Sequence, residues 1–177
     1  PVVVSKDTVE IRFTFEPGEV LEVGDEIQVE IPYSFTGENR DDMWEGAQVA
    51  DSLAGGYVRV DPVSGALLEA IEIRGSILGC RVTQGQVNPG TPVIVRYRGR
   101  AQSAANRFGF RARQHRSGLY ETIQVASDTQ VHGRSAEVIR LVTPADVGIG
   151  EEFSAFLVAL DAFGNVDVRF DGDVEVA

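Results

Sequence analysis

Apolar and polar residues alternate with a period of two through most of the chain. In Thr8–Phe15, Val9, Ile11, Phe13 and Phe15 share one face, while Glu10, Arg12 and Thr14 share the other. Successive side chains of an extended strand point to opposite sides, so this pattern predicts a strand with one buried face. Ile27, Val29 and Ile31 repeat it against Gln28 and Glu30 until Pro32, which ends the ladder. A short strand is expected at Tyr57–Val60, after Gly55-Gly56. Over 67–73, Leu67, Ile71 and Ile73 define an apolar face that Glu69 interrupts, and 77–83 follows across a hairpin connection at Arg74-Gly75-Ser76. Val93, Val95 and Tyr97 alternate with Ile94, Arg96 and Arg98, Phe108 and Phe110 alternate with Arg107, Gly109 and Arg111, and 120–125 adds another strand.

Further strands are predicted over 137–143 and 152–161. The second is apolar on both faces, which suits a central strand covered on two sides. A last strand or hairpin is expected over 166–176. Helical signal is thin: 41–54 reads as a long loop with at most one or two helical turns, capped by Asp41 or Asp42, with Trp44 plugging a sandwich edge. Strands spaced this way, with Gly and Pro between them, predict an all-β fold of antiparallel β-sandwich type, immunoglobulin-like.

A weak internal repeat agrees with that architecture. Leu21-Glu22-Val23-Gly24-Asp25, Val87-Asn88-Pro89-Gly90-Thr91 and Val147-Gly148-Ile149-Gly150-Glu151 each place an apolar residue before a glycine turn and a strand after it. The apolar residue can plug the end of a sandwich. The polar stretch 127–136 reads as a linker. The expected organisation is a β-sandwich domain over 1–130 and an incomplete immunoglobulin-like domain over 137–177. The latter has too few strands for a sandwich of about 100 residues, so its strand edges need cover from elsewhere.

Composition narrows the function classes. The 177 residues are 43% hydrophobic and 24% charged, as in a folded globular protein, and no apolar run approaches the roughly 20 residues a membrane helix needs. Cys80 is the single cysteine, so no intrachain disulfide forms, and two histidines, His115 and His132, leave little for histidine-based metal or triad chemistry. No signal peptide is visible after Pro1. Low cysteine usage fits the cytoplasm as well as a bacterial envelope protein built without disulfides; the envelope or secretion is preferred, and the compartment stays open.

Net charge is −11, unevenly spread. Residues 1–95 carry −10, residues 96–136 carry +6 and residues 137–177 carry −7. An acidic protein is repelled by nucleic acid and by anionic membranes, so neither is an expected partner. No Gly-x-Ser-x-Gly elbow, phosphate-binding glycine loop or calcium-loop spacing occurs. Cys80 reads as a small buried apolar residue, the histidines as solvated loop residues, and the Asp/Asn cluster at 161–173 as turn-forming. No catalytic residue, metal ligand or cofactor is expected.

The basic middle segment is the one non-random chemical feature. Arg96, Arg98 and Arg100 alternate along one strand and share a face; Arg107, Arg111 and Arg113 alternate on what the pattern takes for the neighbouring strand. Like charges across a sheet repel. Either the protein's own acids compensate, for example those of 137–177 docking on this face, or an anionic ligand does, such as a sulfated glycan or the acidic patch of a protein partner. Arg96, Arg98, Arg100, Arg111 and Arg113 are the candidate ligand-binding residues.

Leu157-Val158-Ala159-Leu160-Asp161-Ala162-Phe163-Gly164-Asn165-Val166, followed by Val168-Arg169-Phe170-Asp171-Gly172-Asp173-Val174, resembles the D-x-[YF]-G-N turn of bacterial immunoglobulin-like and filamin-like domains, in which Asp and Asn close a turn between two core strands. The order of the chain is more specific: Gly24-Asp25 and a strand to Ile31-Pro32-Tyr33, a loop to Gly56-Tyr57-Val58-Arg59-Val60, Asn88-Pro89-Gly90 and a strand to Tyr97, then Thr143-Pro144-Ala145-Asp146. That order is similar to the N-terminal region of a large bacterial family whose β-sandwich domains precede a catalytic portion related to polymerase-and-histidinol-phosphatase-type metal-dependent phosphoesterases. The resemblance implies a non-catalytic accessory region that positions a catalytic domain or docks a partner, with other domains of the same protein as partners. The alternative is a surface, carbohydrate-binding or adhesion module that recognises an anionic ligand through the arginine face.

Overall fold

A computed structural model describes residues 2–32, 44–125 and 128–174, and among them it contains thirteen strands and no helix. These are β1 (Val2–Val4), β2 (Thr8–Phe15), β3 (Glu26–Glu30), β4 (Tyr57–Val60), β5 (Ala66–Ile73), β6 (Ile77–Gly85), β7 (Val93–Arg100), β8 (Asn106–Phe108), β9 (Arg111–Arg116), β10 (Leu119–Ile123), β11 (Thr129–His132), β12 (Val138–Val142) and β13 (Phe156–Leu160). One antiparallel sheet has the order β10-β9-β3-β6-β5 and a second has the order β2-β7-β4. A third, β1-β11-β8, contains the parallel pair β1–β11, and among the described residues β12 pairs with β13 alone.

The two larger sheets form a β-sandwich, because their alternating apolar faces meet in one core. Ile11, Val58, Val93, Val95 and Tyr97 come from the β2-β7-β4 sheet; Ile27, Val29, Leu78, Cys80 and Val82 come from the other. Trp44 is buried against this core, edge-to-face on Phe110 with ring centroids 5.7 Å apart. Two tight hairpins set the register. Ser117 and Gly118 have φ of 51° and 81°, the left-handed pair that a two-residue turn needs to match strand twist, and in the three-residue connection Arg74-Gly75-Ser76 the first two residues have 53° and 69°.

The repeated turns meet in space. Leu21 and Val87 are buried and exchange backbone hydrogen bonds, Leu21 N to the Val87 carbonyl at 2.9 Å and Val87 N to the Leu21 carbonyl at 3.0 Å. Gly24, Gly90 and Gly150 all take positive φ. Val147, the third apolar plug, is 41% exposed.

Several expectations require correction. The core-facing residues of β5 are Ala66, Leu68 and Ala70, with Leu67 exposed, and the register against β6 shifts between Leu67 and Leu68 because β6 carries an extra residue, Thr83. The 107–111 alternation is two strands: β8 and β9 belong to different sheets, and the chain breaks at Gly109-Phe110 so that Phe110 enters the core. The stretch read as a linker contains β11, whose Thr129 and Val131 point inward, so that β11 lies between β1 and β8. Residues 152–155 are not strand. β13 is not central either: among the described residues it has one strand neighbour, and Phe156 and Leu157 are exposed. After β13 the described chain makes a single bridge, Leu160 to Val166, rather than another strand. No helical turn occurs in 44–54; the expected cap at Asp41 or Asp42 lies outside the described residues, as does the end of the expected 166–176 strand.

Candidate functional site

The outer face of the β2-β7-β4 sheet carries the arginines that strand alternation turns away from the core. Pairing places Arg12, Arg96 and Arg59 in one cross-strand row and Glu10, Arg98 and Tyr57 in the next, with Arg100 opposite Thr8. Three guanidiniums abreast would repel one another. Arg96 relieves this by donating from Nε to Asp61 Oδ1 and Oδ2 at 2.9 and 3.0 Å, from Nη2 to Asp61 Oδ2 at 2.9 Å, and from Nη1 to Glu10 Oε1 at 2.9 Å. Arg59 Nη2 reaches Glu10 Oε2 at 3.5 Å. The hydrogen bonds from Arg96 hold both carboxyls below their ordinary range, and the carboxylates push the Arg96 guanidinium still further up.

The compensating acids therefore come from the sandwich itself, Glu10 and Asp61, and, among the described residues, none comes from 137–174. They do not suffice for the whole face. Among the described residues, no carboxylate lies within ion-pair distance of the Arg12, Arg98 or Arg100 guanidinium. Ser52, Tyr57, Arg59, Arg96, Arg98 and Glu10 line a recess of about 230 Å³ on this face.

Arg111 and Arg113 are elsewhere. They lie on β9, whose neighbours are β10 and β3 in the other sheet, so they cannot share a ligand face with β7. Arg107 lies on β8 in the third sheet. Arg113 is engaged internally: its Nε donates to Gln28 Oε1 at 2.7 Å and its guanidinium lies 4.7 Å from the Tyr120 ring centroid. Gln28 Nε2 donates to Glu26 Oε2 at 2.5 Å, and Arg81 donates to Glu26 Oε1 from Nε and Nη2 at 2.7 and 2.5 Å. Glu26 and Gln28 thus sit on an outer sheet face yet are buried, 7% and 1% exposed. A polar Glu-x-Gln-x-Glu alternation opposite arginines was the available signal for this network.

His115 belongs to β9 and stacks on Tyr120 at 4.4 Å, and His132 ends β11, so neither is the solvated loop residue expected. Cys80 is buried in β6, and burial pushes its thiol up to about 12, which suits a core residue rather than a nucleophile. Among the described residues, no three His, Cys, Asp or Glu side chains converge as metal ligands, and no helix is long and apolar enough to cross a membrane.

The Asp161–Asn165 turn fastens the β12–β13 hairpin. Asp161 Oδ1 accepts from Phe163 N and Asn165 N, both at 2.9 Å, and Oδ2 accepts from Arg134 N and Asn165 Nδ2, both at 2.9 Å. Burial raises the Asp161 carboxyl, but these hydrogen bonds outweigh it and the net shift is downward. Asn165 reaches out of the turn: Nδ2 donates to the Ser103 carbonyl at 2.7 Å and Oδ1 accepts from Ala105 N at 2.7 Å. Arg134 adds a bond from Nε to the Ser5 carbonyl at 3.0 Å. Compared with protein-family models, with curated proteins and with solved structures, the chain matches none of them.

Proposed function

We propose that the chain is a non-catalytic accessory region: a β-sandwich carries a hairpin in fixed orientation, and that hairpin receives further β-structure of the same protein, thereby positioning a catalytic portion or docking a partner. The contrast among the three repeated turns carries this reading. Two of the plugs, Leu21 and Val87, close the sandwich by pairing with each other, whereas Val147 is exposed. The hairpin is exposed on both sides: the register puts Val138, Val142 and Phe156 on one face and Ile139, Leu141 and Leu157 on the other, and all six are exposed. A two-stranded hairpin with apolar side chains uncovered is marginal alone and suits cover by further β-structure. The immunoglobulin-like identity of the hairpin belongs to the same proposal, supported by the Asp161–Asn165 turn.

Thiol labelling tests it. Leu141→Cys is expected to react fast in the 177-residue chain, while Cys80 stays unreactive as an internal reference. With further β-structure of the same protein docked on the hairpin, Leu141→Cys is expected to slow by at least tenfold. Fast labelling in both forms, or slow labelling in the isolated chain, removes the proposal.

A further inference from the structure

The recess on the outer face of the β2-β7-β4 sheet carries an inference independent of the hairpin. Arg98 stands between Glu10 on β2 and Tyr57 on β4, Arg59 follows Tyr57 two residues along the same face, and Ser52 overhangs from the preceding loop. Arg96 is consumed by Asp61 and Glu10 and serves to hold Glu10 in place. Arg98 has no acid partner among the described residues, and Arg59 holds Glu10 by one long contact of 3.5 Å with half of its side chain exposed. Two guanidinium forks with spare donors, joined by the Tyr57 and Ser52 hydroxyls, match the acceptor oxygens of an oxyanion.

Glu10 narrows the choice. Its carboxyl is held ionised by the Arg96 hydrogen bond and lies on the recess wall. A bare anion meets repulsion from it. A ligand that carries a hydroxyl beside the anionic group instead donates to the carboxylate, which has lone pairs beyond those Arg96 and Arg59 occupy. The recess volume of about 230 Å³ would hold on the order of seven or eight waters at roughly 30 Å³ each, more than a bare tetrahedral anion displaces. We propose that Arg98, Arg59, Tyr57 and Ser52 bind the sulfate or phosphate monoester of a sugar, with Glu10 accepting from a neighbouring sugar hydroxyl.

The experiment is titration calorimetry of the 177-residue chain at low salt with glucose 6-sulfate, glucose 6-phosphate, inorganic sulfate and inorganic phosphate. At least one ester is expected to bind saturably and more tightly than its inorganic anion, and the better ester identifies the anion. Arg98→Gln is expected to weaken that binding at least tenfold, Tyr57→Phe to weaken it less, and Arg113→Gln, on the other sheet, to leave it unchanged. Glu10→Leu, which removes the acceptor, is expected to erase the preference for ester over inorganic anion. Arg98 is exposed, so its variant keeps the fold, checked by an unchanged thermal midpoint. No saturable binding of either ester, binding indifferent to Arg98→Gln, or an inorganic anion held as tightly as its ester would each overturn the proposal.

Discussion

Asn165→Ala tests whether one side chain fastens the hairpin to the sandwich. The substitution removes the bond from Asn165 Nδ2 to the Ser103 carbonyl and the bond from Ala105 N to Oδ1, both 2.7 Å and both leaving the hairpin. It also removes the 2.9 Å bond to Asp161 Oδ2 inside the turn. Ala105 is exposed, so water can replace its partner, whereas Ser103 is buried and its carbonyl is harder to satisfy. At about 1 kcal/mol net for each ordinary bond, the docking loses about 2–3 kcal/mol. Arg134 on Ser5 and Lys6 over the Phe163 ring remain. A two-stranded hairpin is marginal alone, so undocking exposes its amides while the sandwich stays folded. With each 1.4 kcal/mol worth tenfold, amide exchange in β12 and β13 should accelerate by about 30- to 150-fold. Native-state hydrogen exchange reads this strand by strand. Equal acceleration in β3 and β6 would mean the side chain supports the whole fold, and less than about threefold in β12 and β13 would refute the fastening argument.

Arg96→Met should lower the thermal midpoint at neutral pH and do so less in acid. Glu10 and Asp61 have folded values below the ordinary carboxylate range, so their contribution is present above that range and fades as pH falls through the lowered values. A gap between variant and wild type that stays constant down to about pH 2 would contradict the pairing. Gly99→Ala should lower stability by about 1–3 kcal/mol in urea unfolding. Its Cβ would overlap the Tyr97 ring and push the phenol away from the Glu45 carbonyl it donates to; an unchanged midpoint would refute that packing.

Strand positions were legible because a half-buried strand needs a period of two. Thr8–Phe15 and Tyr57–Val60 have the expected ends, and β3, β7 and β12 fall within two residues or so of theirs. Where local pattern was ambiguous, the reading failed. At Leu67 and Leu68 both residues are apolar, and only the register against β6 decides which one turns inward. Thr129-Gln130-Val131 is too short and polar to announce a strand, and becomes one because β1 and β8 flank it. The candidate site divided in the same way. The spacing of Arg96, Arg98 and Arg100 puts them on one face, but their association with Arg111 and Arg113 assumed a strand pairing that does not occur. Tyr57, Arg59 and Ser52 carried no signal until pairing brought them beside Arg98.

Residue order alone reveals that the chain is built of alternating strands, that Cys80 is a core residue, and that positive charge gathers in the middle of an acidic chain. Those properties depend on neighbours along the backbone, whose spacing is set by covalent geometry. Which strands share a sheet, which acids neutralise Arg96, and which faces stay uncovered emerge only on folding. Glu10 and Asp61 lie 86 and 35 residues from Arg96, and nothing short of the folded register brings such groups into contact.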